Sequence, residues 1–139
     1  ADLYGFGITS IGNFDDIYSQ NLKTEKEYYD RIDKNEFAVF KGYKLNEDDL
    51  LRRRVISKIM CDFEIDFKMT DDNYGVLFKD YFSDSLKLLK TFQEDGLIEM
   101  DSEKIRVTGK GRFLIRNIAM CFDAFLLNKE DNTRYSRTI

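Results

Sequence analysis

The chain has 139 residues, enough for one domain with a substantial core, and its 42% hydrophobic and 35% charged residues exclude disorder as a description of the whole. A net charge of −4 leaves no bulk electrostatic footprint for nucleic acid or an anionic membrane. The absence of histidine removes the usual general base and the commonest metal ligand, so the chain by itself is poorly equipped for catalysis. No apolar run approaches the length of a membrane span, and no basic region precedes an apolar signal core at the start, so the expected location is cytoplasmic.

The first distinctive stretch is LYGFGITSIGNF, with Gly5, Gly7 and Gly12 among apolar residues. A dinucleotide fingerprint would require a third glycine where Ser10 stands, and no Gly-Lys-Ser/Thr follows, so the phosphate-loop reading is weak. The plainer reading is a glycine-punctuated connection at the edge of a sheet. Residues 22–34, opening LKTEKEYYDRID, suggest a solvated helix with opposite charges at Lys23/Glu27 and Glu27/Arg31. NEFAVFKGYKL reads as extended chain, with Phe37, Val39, Tyr43 and Leu45 alternating and Gly42 interrupting.

NEDDLLRRRVISKIMC is a well-marked helix, capped by Asn46 and carrying Glu47, Asp48 and Asp49 in its first turn. Leu51, Val55, Ile59 and Met60 make the inward stripe, broadened by Leu50 and Ile56. The run Arg52-Arg53-Arg54 invites a nucleic-acid reading, but Asp48/Arg52 and Asp49/Arg53 are acid-first pairs four apart, which favours a solvated, partly paired face. DFEIDF is a short strand, followed by an Asp-Asp-Asn turn at 71–73. A third helix is expected from a Ser83/Asp84 cap through Leu86, Leu89 and Phe92 to Gly96. A hairpin follows, with strands 97–100 and 105–108 around a polar turn.

Thr108 is placed to cap one long final helix, GKGRFLIRNIAMCFDAFL. Ile115, Ile118, Ala119, Phe122 and Leu126 form its apolar stripe, and Phe113, Leu114, Cys121 and Phe125 cover most of what remains. A helix apolar nearly all round needs partners on more than one side, and the balance favours a missing domain over the rest of this chain. The two cysteines, Cys61 and Cys121, lie in apolar settings without metal-ligand spacing and read as core thiols. The tail NKEDNTRYSRTI reads as a frayed terminus, with Tyr135, Arg137 and Ile139 as alternative anchors on a partner. The order helix, short strand, helix, hairpin, helix is the outline of a winged helix. The expected fold class is therefore mainly α (α+β), a winged-helix-like domain over 46–139 with a small β-hairpin.

Four segments carry a resemblance: GFGITSIG, YKLNEDDLLRRRVISKIMCDFEIDF, DGLIEMDSEKIRVTGKGRFLIRNIAMCFDAFL and the closing RYSRTI. In this order they resemble the C-terminal part of bacterial oxygen-independent coproporphyrinogen III oxidase, a radical S-adenosylmethionine enzyme of anaerobic haem biosynthesis. The resemblance runs from Gly5 to Ile139. It implies that residues 1–45 follow a catalytic barrel and include a barrel remnant. The family's C-x-x-x-C-x-x-C loop, which holds a 4Fe-4S cluster, has no counterpart here, so the chain is expected to be an inactive fragment with no metal or catalytic residues of its own. In the intact enzyme, the resemblance implies that a radical derived from S-adenosylmethionine abstracts hydrogen from a substrate propionate. Loss of carbon dioxide and an electron leaves a vinyl group, and two such events give protoporphyrinogen IX. The position matching a cofactor contact is Ile11, which makes GFGITSIG a cofactor-side loop.

The implied partners are the enzyme's own N-terminal barrel and coproporphyrinogen III, in a monomer without nucleic acid or membrane. S-adenosylmethionine and the cluster belong to the full-length enzyme, and neither is expected on this fragment. A competing reading is a stand-alone winged-helix DNA-binding regulator. Against it, SDSLKLLKTFQED offers Lys87, Lys90 and Gln93 but little bidentate donor capacity for bases. A porphyrin-binding module would have to use Tyr, Met or Cys as axial ligand. Arg112, Arg116, Arg134 and Arg137 are candidates for pairing with propionates; equally, Arg112 and Arg116 could satisfy Asp123.

Overall fold

The computed structural model describes residues 2–127, and the architecture is mixed α and β. Two compact units divide it, the first through Leu50 and the second from Leu51 onward.

The first unit holds an antiparallel sheet of β1 (Ile11–Phe14), β2 (Ile17–Asn21) and β3 (Val39–Lys44), in that order, with α1 (Glu25–Ile32) between the last two. The hairpin of β1 and β2 is absent from the reading of the sequence. Asp15 and Asp16 close it in two residues, with Asp15 at φ 51°, a turn chemistry that aspartate tolerates better than most residues. Thr24 caps α1, accepting from the Glu27 amide at 3.4 Å and donating to the Glu27 carboxylate at 2.6 Å. The pairing of β2 with β3 slips between Gln20 and Asn21: Gln20 faces Lys41 and Asn21 faces Val39, which leaves Phe40 as the extra residue of a bulge.

A reciprocal box starts α2 (Glu47–Asp62): Asn46 Oδ1 accepts from the Asp49 amide at 2.8 Å, and Asp49 Oδ2 accepts from the Asn46 amide at 3.1 Å. In the second unit Leu51, Val55 and Ile59, four apart, are buried; Met60 instead faces outward. A step of one residue turns about 100° around the helix, which leaves Ile56 at the margin of the stripe, packed against the core, and carries Met60 farther round to solvent. Phe63 ends the helix at φ 60° and the chain enters β4 (Glu64–Asp66).

The expected turn at 71–73 is helical. Asp71, Asp72 and Asn73 lie inside α3 (Phe67–Tyr74), which Asp66 caps through the Met69 amide at 2.8 Å and left-handed Gly75 terminates. Capping at both ends, with Phe67 buried, outweighs the turn preference of the Asp-Asp-Asn run. A short α4 (Phe78–Tyr81) leads into α5 (Ser83–Glu94), so Ser83 sits inside the helix and makes no cap; Phe82 holds that position without a side-chain hydrogen bond. Gly96, at φ 69°, ends α5 as expected. β5 (Ile98–Met100) and β6 (Lys104–Val107) form the hairpin, and β4 adds to β6, giving the order β4-β6-β5.

The long final helix is broken into three. A 3-10 turn at Gly111–Leu114, started by Thr108 Oγ1 accepting from the Gly111 amide at 3.1 Å, precedes α6 (Ile115–Met120) and α7 (Ala124–Leu127). At the second break Asp123 Oδ1 takes the Phe125 amide at 2.9 Å, and the Phe122 carbonyl receives Arg52 Nη1 at 3.1 Å. These bonds compensate for the interrupted ladder. A straight helix would carry its apolar residues all round; the broken path buries Ile118, Ala119, Cys121 and Phe122 while leaving Phe113 and Phe125 exposed. The core of the unit gathers Ile59, Phe78, Leu89, Ile105, Ile118 and Phe122, all fully buried.

Candidate functional site

The glycine segment forms a loop that enters the edge strand β1, as the plainer reading expected. Gly5 is required by space: a Cβ there would stand 2.9 Å from the Ile11 carbonyl carbon and oxygen. Gly7 is required by conformation, at φ 87°. Several of the loop's polar groups are bonded to the protein itself. The Gly7 amide donates to the Tyr28 hydroxyl at 3.1 Å, the Thr9 amide to the Leu22 carbonyl at 2.8 Å, and the Ser10 hydroxyl to the Gly7 carbonyl at 2.8 Å.

Asn21 completes this arrangement. Its amide nitrogen lies 3.1 Å from the Gly5 carbonyl, 3.0 Å from the Gly7 carbonyl and 3.0 Å from Ser10 Oγ. A phosphate cradle needs outward-pointing amides. Here the Gly7 and Thr9 amides are turned inward, while Phe6, Ile8 and Ile11 project apolar surface, with Ile11 56% exposed. A cavity of about 360 Å³ opens beside the loop, lined among others by Tyr4, Phe6, Phe14, Tyr28, Ile32 and Phe37. The site therefore suits a flat or apolar group and not an anion.

In the second unit, a cavity of about 460 Å³ is bordered by Asp66, Asp71, Lys79 and Glu103. Its polar groups serve the fold: Asp66 caps α3, Asp71 Oδ1 accepts the Phe78 amide at 2.7 Å, and Lys79 lies over the Phe67 ring. Of the candidate propionate ligands, Arg112 stacks its guanidinium 4.4 Å from the centre of the Phe63 ring, and Arg116 is exposed. Arg134, Arg137, Tyr135 and Ile139 lie outside the described residues. On α5, Lys87 pairs with Asp84 at 2.6 Å, which lowers its availability to phosphates.

The cysteines part company. Cys61 is exposed, which corrects its reading as a core thiol, because its place on α2 is off the buried stripe. Cys121 is buried, and loss of solvation pushes its thiol from the ordinary 9.0 up to about 11. An unfolded thiol loses its proton near the ordinary value while the folded one keeps it. Stability should therefore be unaffected below about pH 8.5 and fall as the pH rises toward 11. Iodoacetamide at pH 8 should label Cys61 at once and Cys121 only as fast as the chain unfolds; equal labelling of both would contradict the burial. Among the described residues no group of three His, Cys, Asp or Glu side chains is placed to hold a metal ion.

A small mixed α and β domain with a clamped, apolar-rimmed loop is the class that fold and site define. The family model described as HemN C-terminal domain matches residues 45–114. Over its whole length the chain is 42% identical to oxygen-independent coproporphyrinogen III oxidase of Escherichia coli (strain K12), covering 30% of that protein. It is 42% identical to the enzyme of the same name from Synechocystis sp., again over all of this chain and 31% of the relative. A solved structure described as coproporphyrinogen III oxidase (HemN) from Escherichia coli, a radical SAM enzyme, matches with a TM-score of 0.82 and 44% identity over 90% of this chain and 29% of that one. The chain belongs to the HemN C-terminal domain family. It spans about 30% of the length of these curated relatives.

Proposed function

We propose that this chain is the C-terminal part of an oxygen-independent coproporphyrinogen III oxidase that converts two propionates of coproporphyrinogen III to vinyl groups, giving protoporphyrinogen IX. The observation that carries this is the 42% identity running through the entire chain to enzymes of that name. The remaining length of such an enzyme would supply the catalytic barrel, and residues 1–45 would be the segment that follows it. Exposed Phe6 and Phe37, at 86% and 93%, and the half-exposed Tyr4 and Phe14 support a docking role for this segment. The winged-helix-like part would begin at residue 46, a reading supported among the described residues by the strand order β4-β6-β5 and the preceding helices α3 and α5.

S-adenosylmethionine, when bound, supplies the radical that takes hydrogen from the propionate. The exposed Ile11 side chain, which lies outside the lining of the cavity of about 360 Å³, offers apolar surface that fits the adenosyl portion of that molecule. An iron–sulfur cluster does not fit this chain, whose only thiols are one exposed and one buried cysteine, so its ligands would lie elsewhere in the longer protein. The family's enzyme would work as a cytoplasmic monomer; no described helix is long and apolar enough to cross a membrane.

The longer protein carrying this chain, incubated anaerobically with coproporphyrinogen III, S-adenosylmethionine and a reductant, should release protoporphyrinogen IX. No product from a cluster-loaded preparation would overturn the proposal. In the same protein Ile11→Ala should weaken S-adenosylmethionine roughly tenfold, the effect of uncovering part of one aliphatic side chain. Equilibrium dialysis checks it, and unchanged affinity would remove Ile11 from the site.

A further inference from the structure

The geometry points to Asn21 as the positioning residue of the cofactor-side loop, a role that rests on the reading of Ile11 given above. Asn21 stands at the bulge where the β2–β3 register shifts, and bulges commonly re-aim a side chain. From there its amide nitrogen spans 16 residues of sequence to Gly5, 14 to Gly7 and 11 to Ser10. A carboxamide nitrogen has two hydrogens, so the three acceptors share them, and Ser10 Oγ passes its own hydrogen to the Gly7 carbonyl. The Asn21 main chain adds a bond from its amide to the Ser10 carbonyl at 2.9 Å.

One residue thus holds both ends and the middle of the loop. The loop's other ties each hold a single group: the Gly7 amide on Tyr28, the Thr9 amide on the Leu22 carbonyl and the Ser10 hydroxyl on the Gly7 carbonyl. Without the carboxamide, the carbonyls of Gly5 and Gly7 would lose that donor and turn toward water. The backbone leading into Ile11 would then sample several shapes instead of one. Tyr28 supports the clamp from α1 by accepting the Gly7 amide, but it holds a single group. Asn21 also borders the neighbouring cavity, and its bonds to the loop, not a bond to the cofactor, define its role.

The test uses the full-length protein with Asn21→Ala, Asn21→Asp, Ser10→Ala and Ile11→Ala, read by hydrogen exchange of residues 5–10 and by S-adenosylmethionine affinity. Asn21→Asp replaces the donor with an oxygen facing three acceptors and should match Asn21→Ala. Both should speed loop exchange at least tenfold and weaken the cofactor about tenfold, with exchange in the core of residues 51–107 unchanged. Ser10→Ala, a milder change that keeps the Asn21 bonds to both carbonyls, should fall between these variants and the natural protein. Natural loop exchange in Asn21→Ala overturns the clamp. Fast exchange with natural affinity, while Ile11→Ala binds weakly, overturns the positioning role alone. Natural affinity in both Asn21→Ala and Ile11→Ala overturns the underlying reading of the loop, and the proposal with it.

Discussion

Replacing Phe78 by alanine should lower the unfolding free energy of the chain by about 3–5 kcal/mol. Phe78 is fully buried and central to an aromatic cluster: its ring lies 4.8 Å from Phe67, 4.7 Å from Phe82 and 6.2 Å from Phe122. Those rings come from α3, from the junction of α4 with α5 and from the break before α7, so the cavity has rigid walls on several sides and cannot easily collapse. The backbone amide of Phe78 is also held by Asp71 at 2.7 Å, which keeps the truncated residue in place instead of letting the segment settle inward. Urea unfolding followed by circular dichroism measures the loss as a shifted midpoint. Phe78→Leu, which retains most of the apolar volume, should lose less than half as much. A loss below about 1 kcal/mol for the alanine variant would mean that the cluster is not close-packed.

The second large effect is expected at Gly111, with Gly109 as its control. A Cβ at Gly111 would overlap the Leu97 carbonyl oxygen and approach Val107 Cγ1 at 2.9 Å. The Leu97 carbonyl cannot retreat freely, because it accepts from the Thr108 amide at 3.0 Å and from Thr108 Oγ1 at 3.1 Å. Gly111→Ala should therefore cost about 3 kcal/mol, at the upper end for overpacking, and part the 3-10 turn from the end of α5 and the start of the hairpin. Gly109 has nothing within 4 Å of the same added atom and no left-handed backbone, so Gly109→Ala should be near neutral. Thermal unfolding of the two variants side by side separates them. Equal melting temperatures would show that the turn has room which the close approach denies.

The contrast between these two glycines shows where reading the sequence stops. In TGKGR both look like punctuation before a helix; only the return of the chain past Leu97 makes one of them indispensable. The same applies to the final helix. Its apolar residues run almost all round, and periodicity gives no reason to break it at Phe122. The break becomes favourable once Arg52, 70 residues away in sequence, is there to take the Phe122 carbonyl. Asn21 carried no signal at all, since one polar residue beside Ser19 and Gln20 in YSQN is ordinary. Its importance depends on the bulge against β3, where Val39 and Lys41 find partners and Phe40 is left over.

Local chemistry was enough where the decisive interactions are local. Thr24 and Asn46 start helices through bonds three residues long, Gly96 ends one by its left-handed backbone, and the hairpin around Asp101 closes through amides of Glu103 and Lys104 held at 2.7 and 3.0 Å. The order of the quoted segments was likewise enough to place the chain in its family, because long runs of matching residues do not depend on contacts. By itself, then, the sequence determined α1, α2 with its Asn46 cap, the end of α5 at Gly96, the second hairpin, most of the apolar stripe of α2 and the family. The tertiary structure alone decided which thiol is buried, which glycine is crowded, where the last helix breaks and what holds the glycine loop. Each of those rests on groups brought together from distant parts of the chain, and no pattern of neighbours along the sequence encodes such a meeting.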